Sequence, residues 1–267
     1  MIDNMKNTRS IIPQLIRYCL LAAFVIAFIA GTIMTAKIIL EQKTAADAYN
    51  AIRLNIQETP AMRNEETEIA ALEEIPQPVI TMNFTPLKEI NAEIVAWLSA
   101  DGTNIDYPVL HTDNNSYYLN HLYTEEVNSS GSLFVDYRNT GLFTDRNTVI
   151  YGHNMKNNTM FNALESYKKQ GFYDEHPTMQ LYTPDGDYLI ELICGTVEDG
   201  NYEFVKLDFT DEDDFTEYVE SHRSRSTFQS KVELQPGDRI ISLCTCSYEW
   251  SNARYMVIGR LTPIMKY

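Results

Sequence analysis

Cysteine is scarce in this 267-residue chain, which has only four thiols. One of them, Cys19, lies in a long apolar run near the N-terminus. Secreted domains that depend on disulfides normally carry an even set of well-spaced cysteines. Cys244 and Cys246 are instead one residue apart in a strand-like run, where a bridge between near neighbours on one face would be strained. The count argues against a disulfide scaffold and for at least one free thiol.

Basic residues are also few. The chain has 21 Lys and Arg against 37 Asp and Glu, and residues 44–267 hold 16 of the former and 35 of the latter. A domain this acidic does not attract polyanions, so we expect no nucleic-acid partner. We interpret the charge as a source of solubility outside the cell.

Long uncharged runs are absent except for one. Tyr18–Ala36 contains 19 residues without a charge, between Arg17 and Lys37. About 20 apolar residues cross a bilayer as a helix, whereas the apolar core of a cleaved signal peptide is about 7–15 residues long. The run therefore predicts an uncleaved membrane anchor.

The charges before this run predict its orientation. Lys6, Arg9 and Arg17 stand against Asp3, and segments rich in Lys and Arg tend to stay in the cytoplasm. We expect a single-pass protein of the cell membrane with its folded domain extracellular. The predicted parts are a cytoplasmic N-terminus (1–17), a transmembrane helix (18–36), a partly helical extracellular stalk (37–78) and a folded domain (79–267).

The remainder of the chain is typical of a β domain with peripheral helices. Apolar residues at helical spacing predict a first helix over residues 85–101, before Gly102. Two further helical segments are predicted at 160–171 and, with an acidic first turn, at 211–224. Short apolar runs separated by turn residues predict strands. These runs are TNIDYPVL, GSLFVDY, NTVIYGH, TMQLYTP, DYLIELICGTV, DRIISLCTC and RYMVIGRL. Seven to eight such strands predict a mainly β fold, a closed barrel.

Three chemically complementary side chains stand at strand ends. His153 follows NTVIYG, Cys246 ends DRIISLCTC, and Arg254 begins RYMVIGRL. A thiol needs a nearby proton acceptor or positive charge to become a nucleophile. Histidine exchanges protons near neutral pH, and arginine can hold a carbonyl oxygen as it becomes negative. If the three strand ends converge on one rim, they indicate acyl transfer through a thioester.

A metal site is the weaker interpretation of the same residues. Cys244, Cys246 and His153 supply three soft ligands, whereas structural zinc sites use four ligands in paired spacings. No second pair is present in the sequence. We expect no metal and no cofactor.

At these residues the sequence resembles the class B sortases, membrane-anchored cysteine transpeptidases of Gram-positive bacteria. The family motif Thr-Leu-x-Thr-Cys, followed by an arginine, stands here as Ser242–Cys246 and Arg254. Further similar tracts are NIDYPVL, DNNSYYLN, GSLFVDYRN, TVIYGHNMKNNTMFNAL and the helical insert after TDEDDF. The resemblance covers residues 86–261.

The resemblance implies a sortase barrel in which Cys246 is the nucleophile, His153 the general acid and base, and Arg254 the stabiliser of the oxyanion. It implies cleavage after the threonine of a C-terminal sorting signal on secreted proteins. The acyl group then passes to an amine, from a cell-wall precursor or a pilin lysine. The substrate-binding residues implied by the resemblance are Asn115, Leu119, Tyr151, Tyr202, Cys244 and Thr245. Cys244 stands where the motif usually has serine, so peptide preference is expected to differ.

Two other functions remain open from the residues alone. A cell-wall peptide hydrolase would use the same Cys and His but pass the acyl group to water. A non-catalytic anchored domain that binds a wall component would show no thiol-dependent activity. Ligation of an added amine such as triglycine separates the transpeptidase from both.

Overall fold

The chain divides into two compact units between Asp47 and Ala48. A computed structural model describes residues 4–58 and 77–266. A single long helix, α1 (Asn4–Glu58), begins in the first unit and ends in the second.

Within the described residues, α1 is the one helix that is long and apolar enough to cross a membrane. The predicted span 18–36 lies inside it, and apolar side chains such as Leu20 and Phe24 are exposed there. Apolar surface of this kind is unfavourable in water and favourable in lipid. The helix therefore supports anchoring in a membrane.

The last turns of α1 belong to the second unit. Ile52 is 1% exposed, and the buried Tyr49 donates a hydrogen bond from its hydroxyl to the carbonyl of Gly131 at 2.7 Å. Arg53 donates to the carbonyl of Asp106 through Nε at 2.9 Å and a terminal nitrogen at 2.8 Å. Residues 48–58 of the predicted stalk are thus helical and fixed to the folded domain, while 59–76 lie outside the described residues.

The second unit is built on a closed barrel of eight strands, as the sequence predicts. A two-stranded sheet of β1 (Gln77–Pro78) and β10 (Met265–Lys266) accompanies it. The barrel strands are β2 (Ile94–Ser99), β3 (Asp106–Leu110), β4 (Leu133–Val135), β5 (Asn147–Tyr151), β6 (Thr178–Thr183), β7 (Gly186–Asp199), β8 (Arg239–Cys246) and β9 (Ala253–Pro263). Their order is β2-β3-β4-β5-β8-β9-β7-β6, and β6 pairs with β2 to close the barrel. Within the barrel, β3–β4 and β5–β8 are parallel and the other pairs antiparallel.

The predicted helix over residues 85–101 is wrong in its second half. Helix α2 (Thr85–Ile90) ends at Asn91, whose backbone is extended and whose side-chain amide donates to the hydroxyl of Tyr118 and the carbonyl of Tyr123. The following segment is β2, which lies between β3 and β6. Consecutive residues of β2 are buried, among them Ala96, Trp97 and Leu98, so its apolar pattern does not alternate and can imitate helical spacing.

The two other helical predictions fall on helices. Residues 160–171 contain a 3₁₀ helix (Phe161–Lys168) and the start of α3 (Gln170–Glu175). Helix α4 (Glu212–Arg223) begins after Asp211, whose carboxylate accepts the backbone N–H of Asp214 at 2.9 Å. Such a cap satisfies one of the free N–H groups at a helix start. The buried Phe215 of α4 belongs to the same apolar cluster as residues of β5, β7, β8 and β9.

Candidate active site

Cys246 and Arg254 form a cross-strand pair. Cys246 is the last residue of β8, Arg254 is the second residue of β9, and the antiparallel register sets them directly opposite each other. Side chains opposite each other in such a pair project from the same face and lie within contact range. Both residues are half-buried. The thiol and the guanidinium therefore share one rim of the barrel.

The loop that carries His153 lies beside the same strand end. The parallel register pairs Tyr151, the last residue of β5, with Cys244 of β8. His153 and Cys246 each follow this pair by two residues, His153 in the loop after β5 and Cys246 at the end of β8. The side-chain amide of Asn154 donates to the carbonyl of Cys246 at 2.9 Å. The structure thus brings all three strand ends together.

The tautomer of His153 follows from its hydrogen bond. Its Nε2 lies 2.6 Å from the carbonyl oxygen of Leu119. A carbonyl oxygen only accepts, so Nε2 carries the proton. In the neutral ring the lone pair is then on Nδ1, and Nδ1 is the atom that can accept a proton. Leu119 thereby orients the imidazole through its backbone.

The Arg254 guanidinium keeps its positive charge available. It donates to the carbonyl of Ala253 at 3.1 Å. Among the residues that the structure describes, no carboxylate forms an ion pair with it. A cation without a protein counter-charge is suited to an oxygen that becomes negative during a reaction.

Four of the residues expected to bind substrate have accessible side chains. Leu119 is 41% and Tyr202 75% exposed, while Asn115 and Tyr151 are half-buried. Asn115 accepts the backbone N–H of Tyr137 at 2.9 Å through Oδ1.

Cys244 and Thr245 are buried. The Cys244 thiol is 1% exposed within the apolar cluster under α4, and burial raises its pKa strongly. Thr245 is 2% exposed, and its hydroxyl donates to the carbonyl of Gly152 at 2.8 Å. Neither side chain presents a surface to a peptide in this structure, so an influence on substrate preference would pass through their neighbours.

An ion-pair network that the sequence did not reveal connects Tyr151 with the loop of Tyr202. The Tyr151 hydroxyl donates to Asp136 at 3.0 Å, Arg138 donates to both oxygens of Asp136, and Arg138 reaches Glu203 at 2.7 Å. Burial alone would raise the pKa of Asp136, but the hydrogen bonds from Arg138 and Tyr151 hold it below its ordinary value. The motif GSLFVDYRN contains Asp136 and Arg138, but their contact with Glu203 depends on the fold.

A second network holds the loop that follows Cys246. The ammonium of Lys168 contacts Glu165 at 2.7 Å, the hydroxyl of Ser247 at 2.6 Å and the carboxylate of Glu249. It also lies 4.9 Å from the ring centre of Tyr255. The 3₁₀ helix downstream of His153 is therefore tied to the loop that separates Cys246 from Arg254.

The sequence of this chain is similar to known proteins over most of the barrel unit. A sequence model described as the sortase domain matches residues 98–262. Sortase B of Listeria monocytogenes is 37% identical over 177 residues, which cover 66% of this chain and 72% of that protein. Sortase B of Staphylococcus aureus is 31% identical over 190 residues, which cover 70% of this chain and 78% of the relative.

Solved structures give the same result for the fold. The Staphylococcus aureus sortase B–substrate complex aligns with a TM-score of 0.64 and 32% identity, over 68% of this chain and 85% of the other. Sortase B complexed with triglycine aligns with the same score and identity, over 68% and 86%. Because both the sequence and the barrel match over two thirds of its length, the chain belongs to the sortase family of cysteine transpeptidases, in class B.

Proposed function

We propose that Cys246, His153 and Arg254 carry out the transpeptidation. The observation that supports this most directly is the cross-strand pairing of Cys246 with Arg254, next to a histidine whose basic nitrogen is Nδ1. The three groups supply a nucleophile, a proton carrier and a fixed positive charge. These are the requirements of acyl transfer through a thioester.

The first half-reaction forms the thioester. Nδ1 of His153 takes the proton of the Cys246 thiol, and the sulfur attacks the carbonyl carbon of the scissile peptide bond. Arg254 donates hydrogen bonds to the oxygen as it becomes negative. The C–N bond then breaks, the leaving amine takes the proton from the imidazolium, and an acyl group remains on Cys246.

The second half-reaction transfers this acyl group to an amine. The amine nitrogen attacks the thioester carbon while His153 accepts one of its protons, and Arg254 again stabilises the oxyanion. The C–S bond breaks, and the proton returns to the sulfur. A new amide bond forms and the enzyme regains its starting state.

The substrate is a C-terminal sorting signal on secreted proteins, cleaved after its threonine. Sortase B relatives have been solved in complex with substrate and with triglycine, which supports a peptide donor and an amine acceptor here. The donor peptide lies along the accessible residues Asn115, Leu119, Tyr151 and Tyr202. The acceptor is the amine of a cell-wall precursor or of a pilin lysine.

The catalytic domain acts on the outer side of the cell membrane. The span 18–36 anchors it and residues 1–17 lie in the cytoplasm, in accord with the basic residues before the span. Residues 79–267 are then outside, where sorting signals and wall precursors meet. Residues 37–78 connect the two parts.

A peptide-library assay on the full-length protein in detergent micelles tests the catalytic proposal. We expect threonine-containing sorting peptides to be cleaved and, with added triglycine, to be ligated. Cys246→Ala should abolish both reactions and the acyl-enzyme mass, whereas Cys244→Ser should retain them. An acyl adduct on Cys244 would refute the assignment of the nucleophile. Cleavage with no ligation of any amine would instead favour a hydrolase.

A further inference from the structure

Asn154 follows His153 directly and is 9% exposed. Its side-chain amide donates to the carbonyl of Cys246 at 2.9 Å, and its side-chain oxygen accepts from the amide of Asn162 at 2.7 Å. Its backbone carbonyl accepts the hydroxyl of Tyr248 at 3.3 Å. The residue next to the imidazole is therefore bonded to the residue that carries the sulfur and to the loop behind it.

The hydrogen bond from Asn154 to Cys246 lies just beyond the backbone hydrogen bonds that pair β5 with β8. The last bonds between these two strand ends run from the backbone N–H of Gly152 to Cys244, at 3.1 Å, and from the Thr245 hydroxyl to Gly152. After Gly152 the chain turns into a loop in which Asn154 pairs with Met160. Beyond the sheet, the Asn154 side chain takes the place of a backbone hydrogen bond between the two segments.

We infer that Asn154 is a positioning residue for the transpeptidation, which holds the loop of His153 at a fixed place relative to Cys246. The inference rests on the proposed roles of these two residues. Among the residues that the structure describes, the hydrogen bonds of Asn154 reach neither the His153 imidazole nor the Cys246 thiol, so Asn154 acts through the backbone of both residues. Its own orientation is set by Asn162.

The size of the effect follows from the geometry that proton transfer demands. A donor and acceptor must lie within hydrogen-bond reach, and displacements of about 1 Å can cost about a hundredfold in rate. We expect Asn154→Ala to lower kcat by roughly 10- to 100-fold and to change KM by less than about threefold.

The pH profile separates positioning from general damage. In the proposed reaction one proton passes between the Cys246 thiol and the His153 imidazole, so the dependence of kcat/KM on pH reports on the two groups together. If Asn154→Ala separates the two groups, their interaction weakens and the range of pH over which the enzyme is active narrows.

The experiment compares full-length Asn154→Ala with Asn157→Ala in detergent micelles, with kcat/KM measured against pH for a library-selected peptide. Asn157 is an exposed residue of the same loop, and its side chain contacts Thr159. We expect Asn157→Ala to leave the pH profile of kcat/KM unchanged. We expect Asn154→Ala to lower kcat/KM and to narrow the range of pH over which the enzyme is active. Asn162→Ala, which removes only the support of the Asn154 side chain, should shift the profile in the same direction by a smaller amount. If Asn154→Ala does not fold, the pH profile of Asn162→Ala tests the positioning role in its place.

Each outcome has a defined meaning. A profile that is lowered equally at every pH, or an unchanged rate, would overturn the positioning role while leaving the catalytic proposal in place. A wild-type protein that cleaves no peptide, or a His153→Ala variant that keeps the wild-type profile, would instead overturn the catalytic proposal itself.

Discussion

Cys244 shows how burial separates two thiols on one strand. It lies two residues before Cys246 and projects from the same face, yet it is 1% exposed while Cys246 is half-buried. A thiolate in an apolar interior is disfavoured, and burial accordingly raises the pKa of Cys244. The thiol of Cys246, at the end of the strand, is accessible. The thiol of Cys244, two residues earlier, is part of the core.

Replacement of Cys244 by serine, the usual residue of the family motif, should destabilise this chain. The hydroxyl would enter an apolar cluster, at a cost of about 1–3 kcal/mol if it finds no partner. We expect Cys244→Ser to lower the unfolding temperature while thioester formation on Cys246 continues. Thermal unfolding and acyl-enzyme mass spectrometry on the same sample measure the two effects. A more stable variant would show that a partner for the hydroxyl is present.

Asp136 should make the stability of the domain depend on pH. Its pKa in the folded state is held below the ordinary value, mainly by Arg138 acting against burial. Its contribution is therefore complete above about pH 4, the unfolded value, and is lost as pH falls through the folded value. Asp136→Asn should cost about 3 kcal/mol at pH 7, and this difference should shrink in acid.

Denaturant unfolding followed by tryptophan fluorescence at several pH values measures this effect. Glu203→Gln is the matched control, because it removes the exposed partner of Arg138 and should cost less than about 1 kcal/mol. A difference between wild type and Asp136→Asn that stayed constant down to about pH 2 would contradict the assignment.

At the scale of the element, the end of α1 is part of the barrel unit. The helix contains the apolar run, but residues 48–58 are held to the barrel by Tyr49, Ile52 and Arg53. The ring of Tyr49 meets Tyr107 of β3 edge-on, with 5.0 Å between centroids. Such aromatic contacts add to the stabilisation from buried area.

Removal of a buried side chain from this helix should therefore destabilise the barrel. We expect Ile52→Ala to lower the free energy of unfolding by about 2–4 kcal/mol. Leu54→Ala is the control from the same turn, because Leu54 is 59% exposed and should contribute little. Near-ultraviolet circular dichroism during thermal unfolding reports the tertiary structure of the aromatic-rich barrel. Equal effects of the two variants would mean that the helix end does not contribute to barrel stability.

For the whole molecule, the proposed topology predicts which cysteine is accessible from outside the cell. The proposed topology exposes the half-buried Cys246 to the exterior, while Cys194 and Cys244 are buried in the core and Cys19 lies in the proposed span. A membrane-impermeant cationic thiol reagent added to intact cells should therefore modify Cys246.

Labelling is read by mass spectrometry of the peptide that contains Cys246, with Cys246→Ser as the control. Modification that appears only after the cells are lysed would reverse the proposed orientation. Modification of intact cells at Cys19 would indicate that this segment does not lie in the bilayer.

The sequence by itself determined the features that depend on short windows of the chain. Alternating or continuous apolar runs predicted seven of the eight barrel strands, a segment with an acidic first turn was predicted to be the helix that is α4, and an uncharged run predicted an apolar helix. The identities of Cys246, His153 and Arg254 also indicated the chemistry, because few side chains combine in this way.

Only the tertiary structure decided the features that depend on partners far away in the chain. Residues 94–99 became a strand because β3 and β6 pair with them on either side in the barrel. Residues 48–58 became part of the barrel unit because Tyr49 contacts Tyr107 and Arg53 contacts Asp106. The ion pair between Arg138 and Glu203 likewise joins residues 65 positions apart, and the hydrogen bond from Asn154 to Cys246 joins residues 92 positions apart. The burial of Cys244 also depends on packing between distant segments. Local periodicity carries no information on these contacts, because strand pairing and burial are set by the closure of the whole barrel.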